Sequence, residues 1–188
     1  MIELRVHGRG GQGAVVASKV LAEAAFLKGE YVQSYPQYGV ERRGAPLVAF
    51  ARIGEPGDEF FIRQDIKSPD HLIILDPTLL TSTDVLSGLK PGGWVVVNSP
   101  EAPEKAGIPA GFRVATVDAS EIAVRHRLGS KTQPVVNTTV LGAFARATGV
   151  VSLEALLHAI EEEVPLKVEE NKAAATEAWE KVRMGGAG

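Results

Sequence analysis

The chain contains no cysteine in its 188 residues. That excludes disulfides, thiolate zinc sites, thiol catalysis and cysteine ligation of an iron–sulfur cluster by this chain. No apolar run approaches the length of a membrane span, and Met1-Ile2-Glu3-Leu4-Arg5 lacks the apolar core of a signal peptide, so a cytoplasmic protein is expected. An excess of positive charge is also absent. The formal net charge of −3 gives no global basic field to recruit nucleic acid or an anionic membrane. The four histidines, His7, His71, His126 and His158, show no metal-ligand spacing. What is present, 45% hydrophobic and 23% charged residues, is ordinary for a soluble domain with a single sizeable core.

The most informative stretch is Val6-His7-Gly8-Arg9-Gly10-Gly11-Gln12-Gly13-Ala14, a G-x-G-x-x-G turn. Before it, Ile2-Glu3-Leu4-Arg5-Val6 alternates apolar and charged residues and reads as a strand. After it, residues 14–25 are apolar on one helical face. In that context glycines permit a tight turn and close backbone approach, and the helix N-terminus offers N–H groups to a phosphate. A dinucleotide site also needs an acidic residue at the end of the second strand. That strand, Tyr31-Val32-Gln33-Ser34, leads into Tyr35 with no carboxylate before Glu41. NAD is therefore disfavoured, which leaves another phosphate-bearing or anionic group, or a turn that only packs. His7 adjoins the turn and reads either as a ligand contact or as a strand-end histidine satisfied by backbone.

Farther along, a loop over 35–46 carries Tyr35, Tyr38, Glu41, Arg42 and Arg43. In a Rossmann-like sheet it leaves the carboxyl end of the second strand, the edge where ligands sit. Arginine forks match phosphate or carboxylate, and tyrosines offer flat faces with a polar tip. Residues 47–53 read as a strand and Glu59-Phe60-Phe61-Ile62-Arg63 as its hairpin return. Three buried-type strands follow, over 71–75, 94–98 and 112–117, with a helix over 78–89 between the first two. Asp76 closes the first of these strands and reads equally as a functional group or a helix cap. Helices are expected over 118–126, with Ser120 a candidate cap, over 137–147, from Ser152 to about 163, and over 168–182, with fraying from Met184 onward. The expectation is an α/β fold in a single domain over 1–188: Rossmann-like, with a mostly parallel sheet, a β-hairpin insertion and a helical C-terminal third.

Gly8-Arg9-Gly10-Gly11-Gln12-Gly13, Tyr38-Gly39-Val40-Glu41-Arg42-Arg43-Gly44-Ala45-Pro46, Ala49-Phe50-Ala51-Arg52-Ile53, Asp76-Pro77-Thr78-Leu79-Leu80 and Asn137-Thr138-Thr139 stand along one chain. Together they resemble the gamma subunits of pyruvate:ferredoxin oxidoreductase and related 2-oxoacid:ferredoxin oxidoreductases, from about residue 2 to 180. Val40 stands where many members have proline, and Val136 where some do. The Glu-Arg-Arg-Gly-Ala-Pro form looks most like the pyruvate type.

The resemblance implies a subunit, inactive alone, of an enzyme that converts a 2-oxoacid and coenzyme A to acyl-CoA, CO2 and reduced ferredoxin. It places thiamine diphosphate, Mg2+ and 4Fe–4S clusters in partner subunits of alpha, beta and delta type, with ferredoxin an indirect partner. This chain agrees in having no cysteine and no Gly-Asp-Gly run followed by paired asparagines. No catalytic residue and no metal ligand are expected in it. Charge and placement put the candidate contacts to coenzyme A, at a site shared with other subunits, at Gly8, Gly10, Gly11, Gln12, Gly13, Tyr38, Glu41, Arg42, Arg43, Asn137 and Thr138. Alternative readings are a stand-alone Rossmann-type nucleotide-binding module, a purely structural interaction subunit, or a subunit of the 2-oxoglutarate, branched-chain or indolepyruvate branch.

Overall fold

The computed structural model describes residues 1–37, 43–55, 57–58 and 63–185. Along the chain run β1 (Ile2–Arg9), α1 (Ala14–Phe26), β2 (Tyr31–Pro36), β3 (Pro46–Gly54), β4 (His71–Ile74), α2 (Leu79–Ser82) and β5 (Trp94–Asn98). They are followed by β6 (Arg113–Val117), α3 (Ala119–Arg125), α4 (Asn137–Thr148), α5 (Leu153–Glu163), α6 (Val168–Lys181) and β7 (Arg183–Gly185). The strands form one seven-stranded sheet in the order β2-β3-β1-β4-β5-β6-β7. β1, β4, β5 and β6 pair in parallel, β3 runs antiparallel between β1 and β2, and β7 runs antiparallel along β6. Five of the seven strands thus point one way, as expected of a mostly parallel sheet.

The hairpin insertion is present, but its members differ from the expectation. β3 is flanked by β2 on one side and β1 on the other, so both its hydrogen-bonding edges are filled. The hairpin is β2–β3; most of the expected return strand, 59–62, lies outside the described residues. Register across the insertion is marked by a polar ladder. Glu3 stands opposite Arg52, and Arg52 opposite Gln33. The Arg52 guanidinium donates to Glu3 Oε1 at 2.9 Å and to Gln33 Oε1 at 3.0 Å. A one-residue slip would turn this buried arginine to the other face of the sheet.

Leu72 and Ile74 of β4 point to one face and Ile73 to the other; Val95 and Val97 of β5 likewise oppose Val96. Both faces are buried, which is why these strands read as continuous apolar runs. The two covers differ. α1, α4, α5 and α6 share one large core with Leu4, Val6, Ile73, Val96 and Ala115. The other face is covered by Leu79, Val85 and Leu89 around the short α2. The helix expected over 78–89 is confined to Leu79–Ser82. Thr81 and Ser82 both donate their hydroxyls to the Thr78 carbonyl, and Thr83 is extended. Hydroxyl side chains that compete for backbone groups shorten a helix in this way.

Two further expectations change. Asp118, not Ser120, caps α3, accepting from the Glu121 amide at 2.9 Å, while the Ser120 amide and hydroxyl turn to Asn98. Residues 184–185, expected to fray, lie in β7, whose pairing with β6 covers that strand's outer side. Ser152 caps α5 as expected.

α4 and α6 pack at very close range. A Cβ on Gly142 would lie 1.8 Å from the Ala175 carbonyl oxygen, so the backbones can approach only because that atom is missing. Gly142→Ala forces the helices apart and should cost about 2–3 kcal/mol, read as a lowered urea midpoint of the purified chain.

His7 lies on the sheet face opposite α1, in a hollow of about 290 Å³ shared with Arg5, Phe50 and Lys67. It is 5% exposed, and its Nε2 is buried without a partner among the described residues. Burial, aided by the Arg5 charge, pushes its pKa down to about 3 from an ordinary 6.5. The unfolded chain therefore binds a proton there that the folded chain refuses. The stability involved is complete above pH 6.5 and drains as pH falls toward 3. The slope should rise from about a quarter of 1.4 kcal/mol per pH unit near neutral pH toward about 1.4 near pH 5. Urea denaturation from neutral pH to about pH 5 should show this slope in the wild type and a shallower one in His7→Gln.

Candidate functional site

β1 carries the chain straight into the glycine turn, and β3 enters alongside it from the opposite direction. Gly10 donates its amide to the Ala45 carbonyl at 2.9 Å and accepts from the Gly44 amide at 3.0 Å, so the end of the arginine-bearing loop is stitched to the turn. At the carboxyl ends of β1, β4 and β5 this leaves a cleft of about 430 Å³. Its walls are 9–12 of the turn, Arg43 and Gly44, Leu75, Asn98, Ser120 and the segment 132–136.

The turn is held by Asp76, just beyond β4. Gln12 folds back so that its Oε1 accepts from the Arg9 amide at 2.7 Å while its Nε2 donates to Asp76 Oδ2 at 3.1 Å. Arg9 Nε donates to the same Asp76 oxygen at 2.9 Å. Asp76 Oδ1 accepts from the Thr78 amide at 3.0 Å and the Thr78 hydroxyl at 2.6 Å. Burial pushes this carboxyl up, but the hydrogen bonds from Thr78, Gln12 and Arg9 outweigh it and hold the group below its ordinary value. Asp76 is thus an anchor for two loops rather than the cap of a long helix.

The amides of Gly10 and Gln12 are used internally, the latter on the Arg9 carbonyl. Gly11, Gly13 and the first turn of α1, which has no side-chain cap, are what the turn offers a ligand. Gly8 packs under the turn, its missing Cβ 3.2 Å from Leu75 Cδ1 and 3.4 Å from Gln12 Oε1. Gly13 has φ +81°, and a Cβ there would lie 2.4 Å from Asn137 Nδ2. The first residue of α4 therefore wedges against the turn, at the edge of the cleft that Val136 lines.

The structure brings Gly10, Gly11, Gln12 and Arg43 together in the cleft, with Gly8, Gly13 and Asn137 packed around its base. It places Thr138 elsewhere: buried, with its hydroxyl donating to Asn171 Oδ1 at 2.6 Å, it ties α4 to α6. Tyr38, Glu41 and Arg42 lie outside the described residues. Tyr35 is buried on the far sheet face against Phe50, and His7 does not line this cleft. Arg9, Asn98 and the segment 132–136 were not singled out from the sequence as site residues, and Ser120 was read only as a helix cap. Asn98 had a legible signal, a polar residue closing an apolar strand at the sheet's carboxyl edge. It donates to the Leu75 carbonyl and the Ser120 hydroxyl, both at 3.0 Å, and so fixes the floor of the cleft.

Fold and cleft together define an α/β protein of Rossmann-like class whose glycine turn opens at the carboxyl edge of the sheet. Comparison with known proteins narrows this. The family model described as "Pyruvate ferredoxin/flavodoxin oxidoreductase" matches residues 3–181. The chain is 48% identical over 187 residues to the "Pyruvate/ketoisovalerate oxidoreductases common subunit gamma" of Thermococcus litoralis, covering 96% of this chain and 97% of that protein. It is 44% identical to the "Pyruvate synthase subunit PorC" of Methanothermobacter marburgensis, covering 99% and 100%. The crystal structure of pyruvate oxidoreductase subunit PORC from Thermotoga maritima superposes with a TM-score of 0.81 at 38% identity, covering 98% of both chains. The chain belongs to the pyruvate ferredoxin/flavodoxin oxidoreductase family.

Gly13→Ala combines a left-handed backbone angle with a clash against Asn137 and should destabilise the chain by about 1–3 kcal/mol. Adding Asn137→Ala removes the amide at 2.4 Å but leaves the Cβ contact at 3.1 Å and the backbone strain, so the double variant should recover only part of the lost melting temperature.

Proposed function

We propose that this chain is the gamma-type subunit of a pyruvate:ferredoxin oxidoreductase, silent alone and working in the cytoplasm within a larger assembly. There, with partners carrying thiamine diphosphate, Mg2+ and 4Fe–4S clusters, it helps bind coenzyme A for conversion of a 2-oxoacid to acyl-CoA, CO2 and reduced ferredoxin. Family membership and the names of its relatives support the assembly. For the coenzyme A role, the supporting observation is the junction of the glycine turn with Arg43.

Coenzyme A carries a pyrophosphate and a 3′-phosphate. Arg43 is exposed at the cleft, and among the described residues no carboxylate pairs with it. Its planar fork suits a phosphate. The amides of Gly11, Gly13 and the first turn of α1 add partial positive charge at the same wall. Residues at this cleft contribute binding and orientation only; the carbon–carbon cleavage and electron transfer belong to the partners' cofactors.

A second substrate has a specific observation in its favour. Relatives at 46–48% identity are named as a common subunit of pyruvate and ketoisovalerate oxidoreductases. A cleft that handles the coenzyme rather than the oxoacid is compatible with service in both.

The test is a reconstituted complex assayed by methyl-viologen reduction. Arg43→Ala should raise the KM for coenzyme A about tenfold while the KM for pyruvate stays unchanged. The isolated chain should show no reduction with pyruvate and coenzyme A. An unchanged KM with normal assembly would refute the coenzyme A role, and turnover by the isolated chain would refute its silence.

A further inference from the structure

The geometry points to Arg9 as a direct phosphate contact in this cleft, with Asp76 as the positioning residue that holds it there. This rests on the coenzyme A reading above, and adds to it two residues of the glycine turn and the β4–α2 junction.

A guanidinium has five N–H donors. Arg9 commits one from Nε to Asp76 Oδ2 at 2.9 Å, one from Nη1 to the Gly44 carbonyl at 3.2 Å, and one from Nη2 to the Thr78 hydroxyl oxygen at 2.8 Å. Each of its three nitrogens is therefore pinned by a different loop atom, and one N–H on each terminal nitrogen is left over. The side chain is 29% exposed and lines the cleft. A long flexible side chain becomes a fixed group with two uncommitted N–H donors, its ordering cost met before a ligand arrives. Arg43 enters the same cleft one residue before Gly44, the residue whose carbonyl Arg9 holds. The two cations are thus linked through one short backbone segment.

Asp76 is the centre of the arrangement because its two oxygens do different work. Oδ2 receives Arg9 and Gln12, and Oδ1 receives the amide and hydroxyl of Thr78. All four groups are donors, so the residue must be an acceptor on both sides. Asparagine has the same shape but can satisfy only one side. Its NH2 group must face either Arg9 and Gln12 or Thr78, donor against donor. Arg9 would then lose its carboxylate, its fixed pose, or both.

The experiment uses the reconstituted complex carrying Asp76→Asn, Arg9→Ala, Arg9→Lys, the double variant Asp76→Asn/Arg9→Ala, or Arg43→Ala, with coenzyme A and pyruvate titrated separately. Asp76→Asn and Arg9→Ala should each raise the KM for coenzyme A about tenfold, leaving kcat and the KM for pyruvate unchanged. Arg9→Lys should behave like Arg9→Ala, because an ammonium cannot span three anchors and still present two uncommitted donors. The double variant should equal Arg9→Ala alone, since Asp76 acts through Arg9.

A raised KM in Arg43→Ala with an unchanged one in Asp76→Asn overturns this inference and leaves the coenzyme A reading standing. No change in any variant overturns both. A double variant clearly worse than Arg9→Ala gives Asp76 a structural role and removes it as a positioning residue. If Asp76→Asn fails to assemble, Arg9→Lys decides: a wild-type KM there overturns the proposal.

Discussion

Everything at the cleft depends on one strand running backwards. β3 is antiparallel to β1 and lies directly beside it, so it begins at the carboxyl edge of the sheet, where β1 ends. In an ordinary doubly wound sheet the neighbour of β1 would be a parallel strand starting at the far edge. Here Gly44 and Ala45 are delivered within hydrogen-bonding distance of Gly10. The placement is secured deep in the sheet, where Arg52 is 6% exposed yet paired with Glu3 and Gln33. Breaking one partner of a buried pair costs far more than an exposed one gains. The ladder that sets the strands' register therefore also sets which residues meet the glycine turn.

The cleft keeps its charge in separated compartments. Arg9 and Asp76 neutralise each other at 2.9 Å in a partly buried setting, and the carboxylate form is further favoured by Thr78 and Gln12. Arg43 stands on the exposed side. Among the described residues the result is local positive charge at the cleft of a protein whose overall balance is negative, −3. If the cleft binds an anion as proposed, the attraction is short-ranged, screened beyond about a Debye length of 8–10 Å in ordinary salt.

Where local patterning and tertiary packing agree, the sequence could be read directly. β5 was legible to the residue because four apolar side chains between Gly93 and Asn98 leave no alternative period. α1, α4, α5 and α6 were legible from their apolar faces and from Ser152 as a cap. The glycine turn and its approach to Arg43 were also legible. What failed were choices made by long-range partners. The apolar positions Val85 and Leu89 suit a helix, yet they pack equally well from irregular backbone once hydroxyl side chains have ended α2. The partner of β3 could not be read because a hairpin on either side satisfies the same alternation. β7 was missed because a glycine-rich end carries no strand signal; its pairing comes from β6. Arg9 and Asp76 stand 67 residues apart, and nothing in either neighbourhood announces the other.

β7 also has a colloidal consequence. β6 reads Arg-Val-Ala-Thr-Val, almost without charge, and is buried along its length after Arg113. A strand of this kind with a bare outer side is a template for intermolecular pairing. Three residues following α6 close that side, with Arg183 and the half-exposed Met184 among them. A cover of three residues offers little to a further strand. The helical layer and the sheet edge are therefore linked: loosening α6 would release β7 and bare the outer side of β6.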